Sequence, residues 1–224
     1  QSGEPDFPFM LCWANENWTR RWDGGDETVL MAQSYSEEDA YKHIQFLLPV
    51  FQDSRYIKVD GKPVFAIYRS TAIPNLDEMI EIFREEASKS GVDLHLVRVE
   101  SFGEGGVDLM KGFEAAVEFQ PFSKVLGNYL REVVFKKYQK KWLLRFYNKF
   151  LIQRFYNHLD YNDYVDFLIK IYNYPSEYIR YPCVSPGWDN TARKGNDALV
   201  FKNSSPAKFK QWLTFHSSNT SRGV

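Results

Sequence analysis

A cluster of aromatic and polar residues near the start of the sequence has the chemistry of a sugar site. Three of the chain's six tryptophans lie within ten residues, and amides, carboxylates and arginines stand between them. The cluster comprises Trp13, Asn15, Glu16, Asn17, Trp18, Arg20, Arg21, Trp22 and Asp23. Indole faces stack on the C–H face of a pyranose, while the polar groups bind its hydroxyls. Apolar surroundings raise the pKa of a carboxyl group, which suits it to donate a proton.

Other polar side chains follow later apolar runs of the chain. Ligands of parallel α/β folds bind beyond the carboxyl ends of the strands, so these residues are candidates for the same site. They are Tyr68, Glu118, Trp188, Asp189, Asn190 and Arg193. We expect Glu16 to act as the acid or base, with Glu118 and Asp189 sharing the remaining charge and hydroxyl contacts. The tryptophans would stack on sugar rings, and the amides, arginines, Asp23 and Tyr68 would orient them.

Each candidate carboxylate also has a purely structural explanation. Glu16 could be held by Arg20 or Arg21. Glu118 lies in an apolar run, where a buried carboxylate needs a cation, hydrogen-bond donors or a solvated cleft. Asp189 could cap a turn or a helix.

The elements that must position these residues follow from alternating apolar and amphipathic patterns. Apolar runs predict strands at 9–13, 63–68, 94–99, 115–119 and 182–188. Helical periodicity predicts helices at 37–51, 76–88, 161–172 and 206–215, and Ser36 is placed to cap the first of these. This alternation predicts the α/β class with a parallel sheet covered by helices. An open parallel sheet could use all five strands, whereas a closed (β/α)₈ barrel needs three more.

Composition argues against several classes of partner and cofactor. A net charge of -1 and a pI near 6.5 give no global attraction to nucleic acid. The four histidines have no metal-binding spacing and no glycine-rich nucleotide loop follows a strand, so we expect neither metal nor cofactor. Cys12 and Cys183 lie in apolar runs and are expected to be buried thiols in a reducing compartment, which favours the cytoplasm.

One segment departs from this composition. Residues Lys124 to Arg154 include nine Lys or Arg and one acid, Glu132, interleaved with aromatic rings. We expect a helical insertion at about 122–160 within a single domain covering residues 1–224. A solvated hairpin is one explanation and contact with an anionic membrane surface or anionic glycan is another.

Four segments resemble signatures of the WbsX family, whose members are labelled WbsX-like glycosyltransferases or glycoside hydrolase family 99-like proteins. The segments are FMLCWANENWTRRWDG at 9–24, YIKVDGKPV at 56–64, FEAAVEF at 113–119 and PGWDNTAR at 186–193. The resemblance implies a (β/α)₈ TIM-barrel-type fold acting on bacterial polysaccharide in O-antigen or capsule metabolism. Similarity to endo-α-mannosidase-type barrels implies paired glutamates without metal, and Glu16 falls on the strand-end segment that carries catalytic glutamate there.

The chain departs from the family pattern at both ends. It lacks the earlier barrel strands and the final acidic strand segment, so we expect a partial barrel and a second catalytic carboxylate that could lie elsewhere. Gln120-Pro121-Phe122 replaces the usual Pro-Pro-His, which removes a histidine from that rim. The sequence favours a glycoside-hydrolase-like enzyme. A glycosyltransferase of lipopolysaccharide or capsule biosynthesis and a non-catalytic glycan-binding module are the alternatives.

Overall fold

In a computed structural model, a sheet with five parallel strands lies at the centre of the described fold. The structure describes residues 5–20, 25–101, 104–122, 124–137, 158–172, 177–195 and 198–220. The strands are β1 Leu11–Trp13, β2 Trp18–Arg20, β3 Gly25–Met31, β4 Lys58–Val59, β5 Lys62–Ile67, β6 His95–Glu100, β7 Ala115–Glu118, β8 His158–Asp160, β9 Ile179–Tyr181 and β10 Val200–Lys202. The helices are α1 Glu37–Phe51, α2 Leu76–Lys89, α3 Lys124–Lys137, α4 Tyr161–Ile171, α5 Thr191–Lys194 and α6 Pro206–Thr220.

Helix α1 begins where the sequence supplies a capping residue. The Ser36 hydroxyl accepts a hydrogen bond from the Asp39 backbone N–H at 3.1 Å and satisfies a donor left open at the helix N-terminus. Three acidic residues in the first turn favour the positive end of the helix dipole. The buried side chains recur at helical spacing and are Ala40, Ile44, Leu47, Leu48 and Phe51. The predicted helix, cap and buried face are confirmed.

The strand order follows the order of the chain. The parallel strands run β1-β5-β6-β7-β9, so each new strand joins the same edge of the sheet. A doubly wound sheet reverses its order at a switch point, whereas a (β/α)₈ barrel adds strands in sequence. Strand β4 joins β5 as a hairpin, and its turn places Asp60 and Gly61 at positive φ values of 50° and 79°.

The two faces of this sheet meet different neighbours. Phe65, Ile67 and Leu96 on one face pack with α1 and α2 in the main hydrophobic core. The opposite face carries Val64, Ala66, Val97, Val99, Ala115, Val117 and Tyr181, and its cluster contains strand and strand-end residues only. We call these the helix-facing and inner faces. Helices on one face and a second face lined by strand residues are features of a barrel wall. The described strands form an open segment of such a wall.

A second core lies in the C-terminal part of the chain. Strands β8 and β10 pair in parallel, and α3, α4 and α6 pack around them. Its largest fully buried side chains are Tyr161, Tyr164 and Trp212. Asp160 caps α4 by accepting hydrogen bonds from the backbone N–H groups of Asn162 and Asp163 at 2.9 and 3.1 Å.

Two predictions were wrong in detail: the position of the fifth strand and the burial of the two cysteines. The fifth strand is Ile179–Tyr181, not 182–188, because Arg180 and Tyr181 pair with β7 while prolines at 182 and 186 have no N–H for a ladder. Cys12 is exposed and Cys183 is only partly buried. Cys12 is exposed because it occupies the inner face of β1, an edge strand of the described sheet.

Of the basic segment, 124–137 is helical, and the part from 138 to 154 lies outside the described residues.

Candidate active site at the carboxyl edge of the sheet

A buried amide joins the carboxyl ends of β1 and β5. The Asn15 side-chain N–H group donates to the Arg69 carbonyl at 2.9 Å and to the Tyr35 hydroxyl at 3.1 Å. Its carbonyl oxygen accepts from the Arg69 backbone N–H at 2.7 Å, and the Tyr35 hydroxyl donates to the Asn15 backbone carbonyl at 2.8 Å. These bonds occupy the Asn15 amide, so its structural role is to hold the neighbouring Glu16 and Arg69 in place.

Glu16 forms an ion pair with an arginine that is distant in sequence. Arg69 Nη1 lies 3.2 Å from Glu16 Oε1, and the Glu16 side chain is 40% exposed. The predicted structural partners were Arg20 or Arg21. Arg20 is the last residue of β2 and Arg21 lies outside the described residues, whereas Arg69 is the second residue after β5. Glu16 is therefore anchored through one oxygen and remains accessible to solvent.

The same guanidinium holds a second carboxylate. Arg69 Nη2 lies 3.1 Å from Glu104 Oε1, and the Thr71 hydroxyl donates to Glu104 Oε2 at 3.0 Å. Glu104 comes from the loop after β6, the strand beside β5. Two carboxylates and one arginine from three consecutive strand ends thus meet at one edge of the sheet.

An aromatic wall stands beside this group. The Tyr68 ring lies 5.4 Å from that of Phe119, and Trp188 lies 6.4 Å from Phe119 and 5.2 Å from Phe122. Burial raises the pKa of Tyr68, the charge of Glu16 raises it further, and Arg69 lowers it. Tyr68 therefore lies within electrostatic range of Glu16 and links it to the aromatic rings. The indole N–H of Trp188 is buried and finds no acceptor in the part of the chain that the structure describes.

Glu118 projects from the helix-facing side of the sheet. It is opposite Glu100 in the β6–β7 register, while Val117 and Val99 project to the inner face. Its Oε1 lies 3.1 Å from Arg180 Nε, and its side chain is 5% exposed. Burial raises the pKa of Glu118, Arg180 opposes that shift, and the nearby charge of Glu100 adds to it. Of the environments foreseen for Glu118, the structure supplies the cation and hydrogen-bond donors.

Glu100 has a similar setting. It is 8% exposed, its Oε1 accepts a hydrogen bond from the Tyr178 hydroxyl at 2.8 Å and it lies 3.9 Å from Arg98 Nη1. Glu100 and Glu118 are thus neighbours in one buried layer of acids and arginines, on the opposite side of the sheet from the ring of Tyr68.

A family model described as Glycosyltransferase WbsX matches residues 1–223. The chain belongs to this family. An uncharacterized protein WxcX of Xanthomonas campestris pv. campestris, found in strains B100 and ATCC 33913, is 29% identical over 208 residues. The match covers 92% of this chain and 27% of each relative, so the chain spans about a quarter of their length. Among solved structures, the GH99 endo-alpha-mannosidase from Bacteroides thetaiotaomicron is similar with a TM-score of 0.46 at 12% identity. The match covers 84% of this chain and 48% of the mannosidase chain.

In this WbsX-family chain, the signature around Trp188 forms a local turn. Asp189 is exposed, and its Oδ1 accepts from the Thr191 backbone N–H at 2.8 Å and from the Thr191 hydroxyl at 2.6 Å, which lowers the pKa of Asp189. The Asn190 side chain accepts from the Leu199 backbone N–H at 2.8 Å. Arg193 is exposed in α5 and its charge reaches Tyr68. The turn explanation describes Asp189 as it stands, and a catalytic role for it stays a prediction.

The tryptophan-rich signature is divided between two surroundings. Trp13 packs towards α1, 4.7 Å from the ring of His43, and lines a pocket of about 60 Å³ between the starts of α1 and α2. Trp18 is 67% exposed on the β2–β3 hairpin, where the Asn17 side chain accepts from the Gln33 backbone N–H at 2.6 Å. The further candidates Arg21, Trp22 and Asp23 lie outside the described residues. Among the predicted residues, Glu16, Tyr68 and Trp188 share one edge with Asn15, whose amide is occupied by the Arg69 backbone.

Sequence reasoning missed Glu104 and gave Arg69 no role. None of the candidate residues came from the loop that follows the apolar run at 94–99, although this loop contains Glu104. Applying the strand-end rule to the whole loop would have included it. Within the described ranges no group of three or more His, Cys, Asp or Glu side chains is arranged to hold a metal ion, and no helix is long and apolar enough to cross a membrane.

Proposed function

We propose that this chain is part of an enzyme that acts on glycosidic bonds of bacterial surface polysaccharide, with Glu16 as the carboxylate that meets the substrate. One observation carries the proposal. Glu16 is 40% exposed at the carboxyl edge of a parallel sheet, is fixed by Arg69 and stands beside the wall that begins at Tyr68. Membership of a family described as glycosyltransferases supports carbohydrate chemistry at this edge.

The arrangement supports two reactions at an anomeric carbon. In a glycosidase, one carboxyl group protonates the leaving oxygen and another attacks or activates water. In a glycosyltransferase, a carboxylate deprotonates the acceptor hydroxyl while a sugar nucleotide supplies the donor. We favour hydrolase-type chemistry, because Arg69 is already shared between Glu16 and Glu104 and is not available for a pyrophosphate. The family description supports the transferase alternative.

Replacing Glu16 tests the proposal. The full-length protein is incubated with O-antigen or capsular oligosaccharides and, separately, with nucleoside-diphosphate sugars and the same acceptors. Loss of a general acid or base typically lowers turnover by about 10²–10⁴-fold. We expect this loss for Glu16→Gln with an unchanged melting temperature, since Gln keeps the size of the side chain. Glu38→Gln is the matched control, because Glu38 is an exposed glutamate paired with Lys42 on α1. Wild-type turnover by Glu16→Gln would remove Glu16 from the mechanism.

A non-catalytic glycan-binding module is the second candidate, and the exposed indole of Trp18 favours it. Aromatic faces can bind sugars with no bond broken. This function predicts no turnover of any probe by the full-length protein. It also predicts oligosaccharide affinity that Glu16→Gln leaves unchanged and Trp18→Ala lowers.

Two expectations about the surroundings of the protein remain proposals. We propose that the basic segment from Lys124 to Arg154 contacts anionic lipid, and its nine cations against one acid support this. Sedimentation with anionic liposomes tests the contact, and absence of binding at low salt would end it. The cytoplasmic location expected from the cysteines stays a prediction.

A further inference from the structure

Arg69 lies between two carboxylates, of which the function proposed above uses one. Nη1 of Arg69 contacts Glu16 at 3.2 Å and Nη2 contacts Glu104 at 3.1 Å. The two terminal nitrogens of a guanidinium are fixed in one plane, so partners on both of them restrict its rotation more than one partner does. The orientation of Arg69, and with it the position of the anchored oxygen of Glu16, therefore depends on Glu104.

Glu104 is held independently of Glu16. Its Oε2 accepts from the Thr71 hydroxyl at 3.0 Å, its backbone carbonyl accepts from Arg98 Nη2 at 2.9 Å, and its backbone N–H donates to the Ser101 carbonyl at 2.9 Å. Arg98 is fully buried, so this end of the loop is fixed to the interior of the protein. The Glu104 side chain is 24% exposed, less than the 40% of Glu16.

The backbone of Arg69 is held separately from its side chain. Asn15 bonds both the N–H and the carbonyl of Arg69, so the chain at this point stays in place whatever the guanidinium contacts. Changing the charge on Glu104 should therefore alter the guanidinium and Glu16 without disturbing the strand ends. This separation makes the role of Glu104 accessible to experiment.

We propose that Glu104 is a positioning residue of the active site, which acts through the guanidinium of Arg69 to fix the orientation of the Glu16 carboxylate. The inference rests on the function proposed for Glu16. Glu104 contacts Arg69 and Thr71, and the substrate meets the more exposed Glu16. Reaction rates depend steeply on such placement, and a displacement of about 1 Å can lower a rate by 10²-fold.

The first experiment needs no substrate. ¹⁵N NMR of the arginine side chains in the full-length protein detects slow rotation about the Nε–Cζ bond as separate Nη signals, which are assigned to Arg69 by their loss in Arg69→Met. We expect separate signals in the wild type and merged signals in Glu104→Gln, because the neutral amide holds the guanidinium less strongly than a carboxylate. Glu114→Gln is the control, since Glu114 pairs with Arg84 at 2.7 Å before β7, at the opposite end of the sheet. Signals unchanged by Glu104→Gln would overturn the proposal.

The second experiment uses the oligosaccharide or sugar nucleotide that the full-length protein turns over. We expect Glu104→Gln to lower kcat on the order of 10-fold with KM nearly unchanged, and Glu104→Asp to recover part of the loss. If Glu104 acts through Arg69, the double variant Glu104→Gln/Arg69→Met is no slower than Arg69→Met alone. Additive losses, or a change confined to KM, would contradict positioning. Glu16→Gln decides the proposed function separately, since activity of that variant removes Glu16 whatever Glu104 does.

Discussion

Glu118 and Arg180 form an ion pair, and we expect removal of the arginine to lower the stability of the fold more than removal of the carboxylate. The Glu118 side chain is 5% exposed and the Arg180 side chain 22% exposed, and the Arg180 guanidinium also lies 5.7 Å from the centre of the Tyr172 ring. Arg180→Met leaves a buried carboxylate without its cation, a change that costs about 3–5 kcal/mol. Glu118→Gln leaves an arginine that keeps the Tyr172 ring and the attraction of Glu100, and should cost roughly 1–3 kcal/mol.

The assay is denaturant and thermal unfolding of both variants at several pH values. For a chain of this length, 1 kcal/mol changes Tm by about 2–4 °C, so Arg180→Met should lower Tm by roughly 6–20 °C near neutral pH. Burial already raises the pKa of Glu118 above its ordinary value of 4.5, and removing Arg180 raises it further. The folded variant then binds a proton more readily than the unfolded chain. Its destabilisation is full above the folded pKa and shrinks as the pH falls towards 4.5.

The double variant Glu118→Met/Arg180→Met is the control, and it should be close to the wild type because both charges leave together. A cost below about 1 kcal/mol for Arg180→Met, which is typical of an exposed pair, would refute the reasoning. So would a destabilisation that grows as the pH falls. Loss of turnover in Glu118→Gln at wild-type stability would instead support the catalytic role predicted from the sequence.

Two further predictions concern buried polar groups. Asn15→Ala removes the bonds that join β1 to β5 and, at about 1 kcal/mol for each hydrogen bond, should lower the free energy of unfolding by about 2–3 kcal/mol in a denaturant titration. A change below about 0.5 kcal/mol would mean that water replaces the amide. His216 accepts a hydrogen bond from Trp212 Nε1 at 3.0 Å, and burial lowers its pKa from 6.5 to about 4. The unfolded chain therefore binds a proton first, so stability should fall by roughly 3 kcal/mol between pH 6.5 and pH 4. His216→Gln should reduce this fall of stability with pH, measured by denaturant unfolding at several pH values. An unchanged fall would assign the pH dependence to other groups.

Much of the fold follows from local sequence. Ser36 and the apolar positions of α1 specify its start and its buried face, and Asp60-Gly61 specifies the β4–β5 turn. The fifth strand was misplaced because the apolar run at 182–188 is broken by prolines, while Arg180 and Tyr181 pair with β7 through a register that the sequence does not display. The contacts of Glu16 were less predictable, since Arg69 is 53 residues away from it.

The sequence by itself determined the α/β class, the capped helices, the family and the presence of an acid beside aromatic rings at a strand end. Only the tertiary structure decided which carboxylates face one another. Side chains along a strand alternate between two faces, which the sequence displays. Pairing between strands decides which of these faces packs on helices. That pairing places Glu118 with Arg180 in a buried layer. Glu16 meets Glu104 through Arg69 because three strands adjacent in space end at the same edge, a neighbourhood that exists only once the sheet has formed.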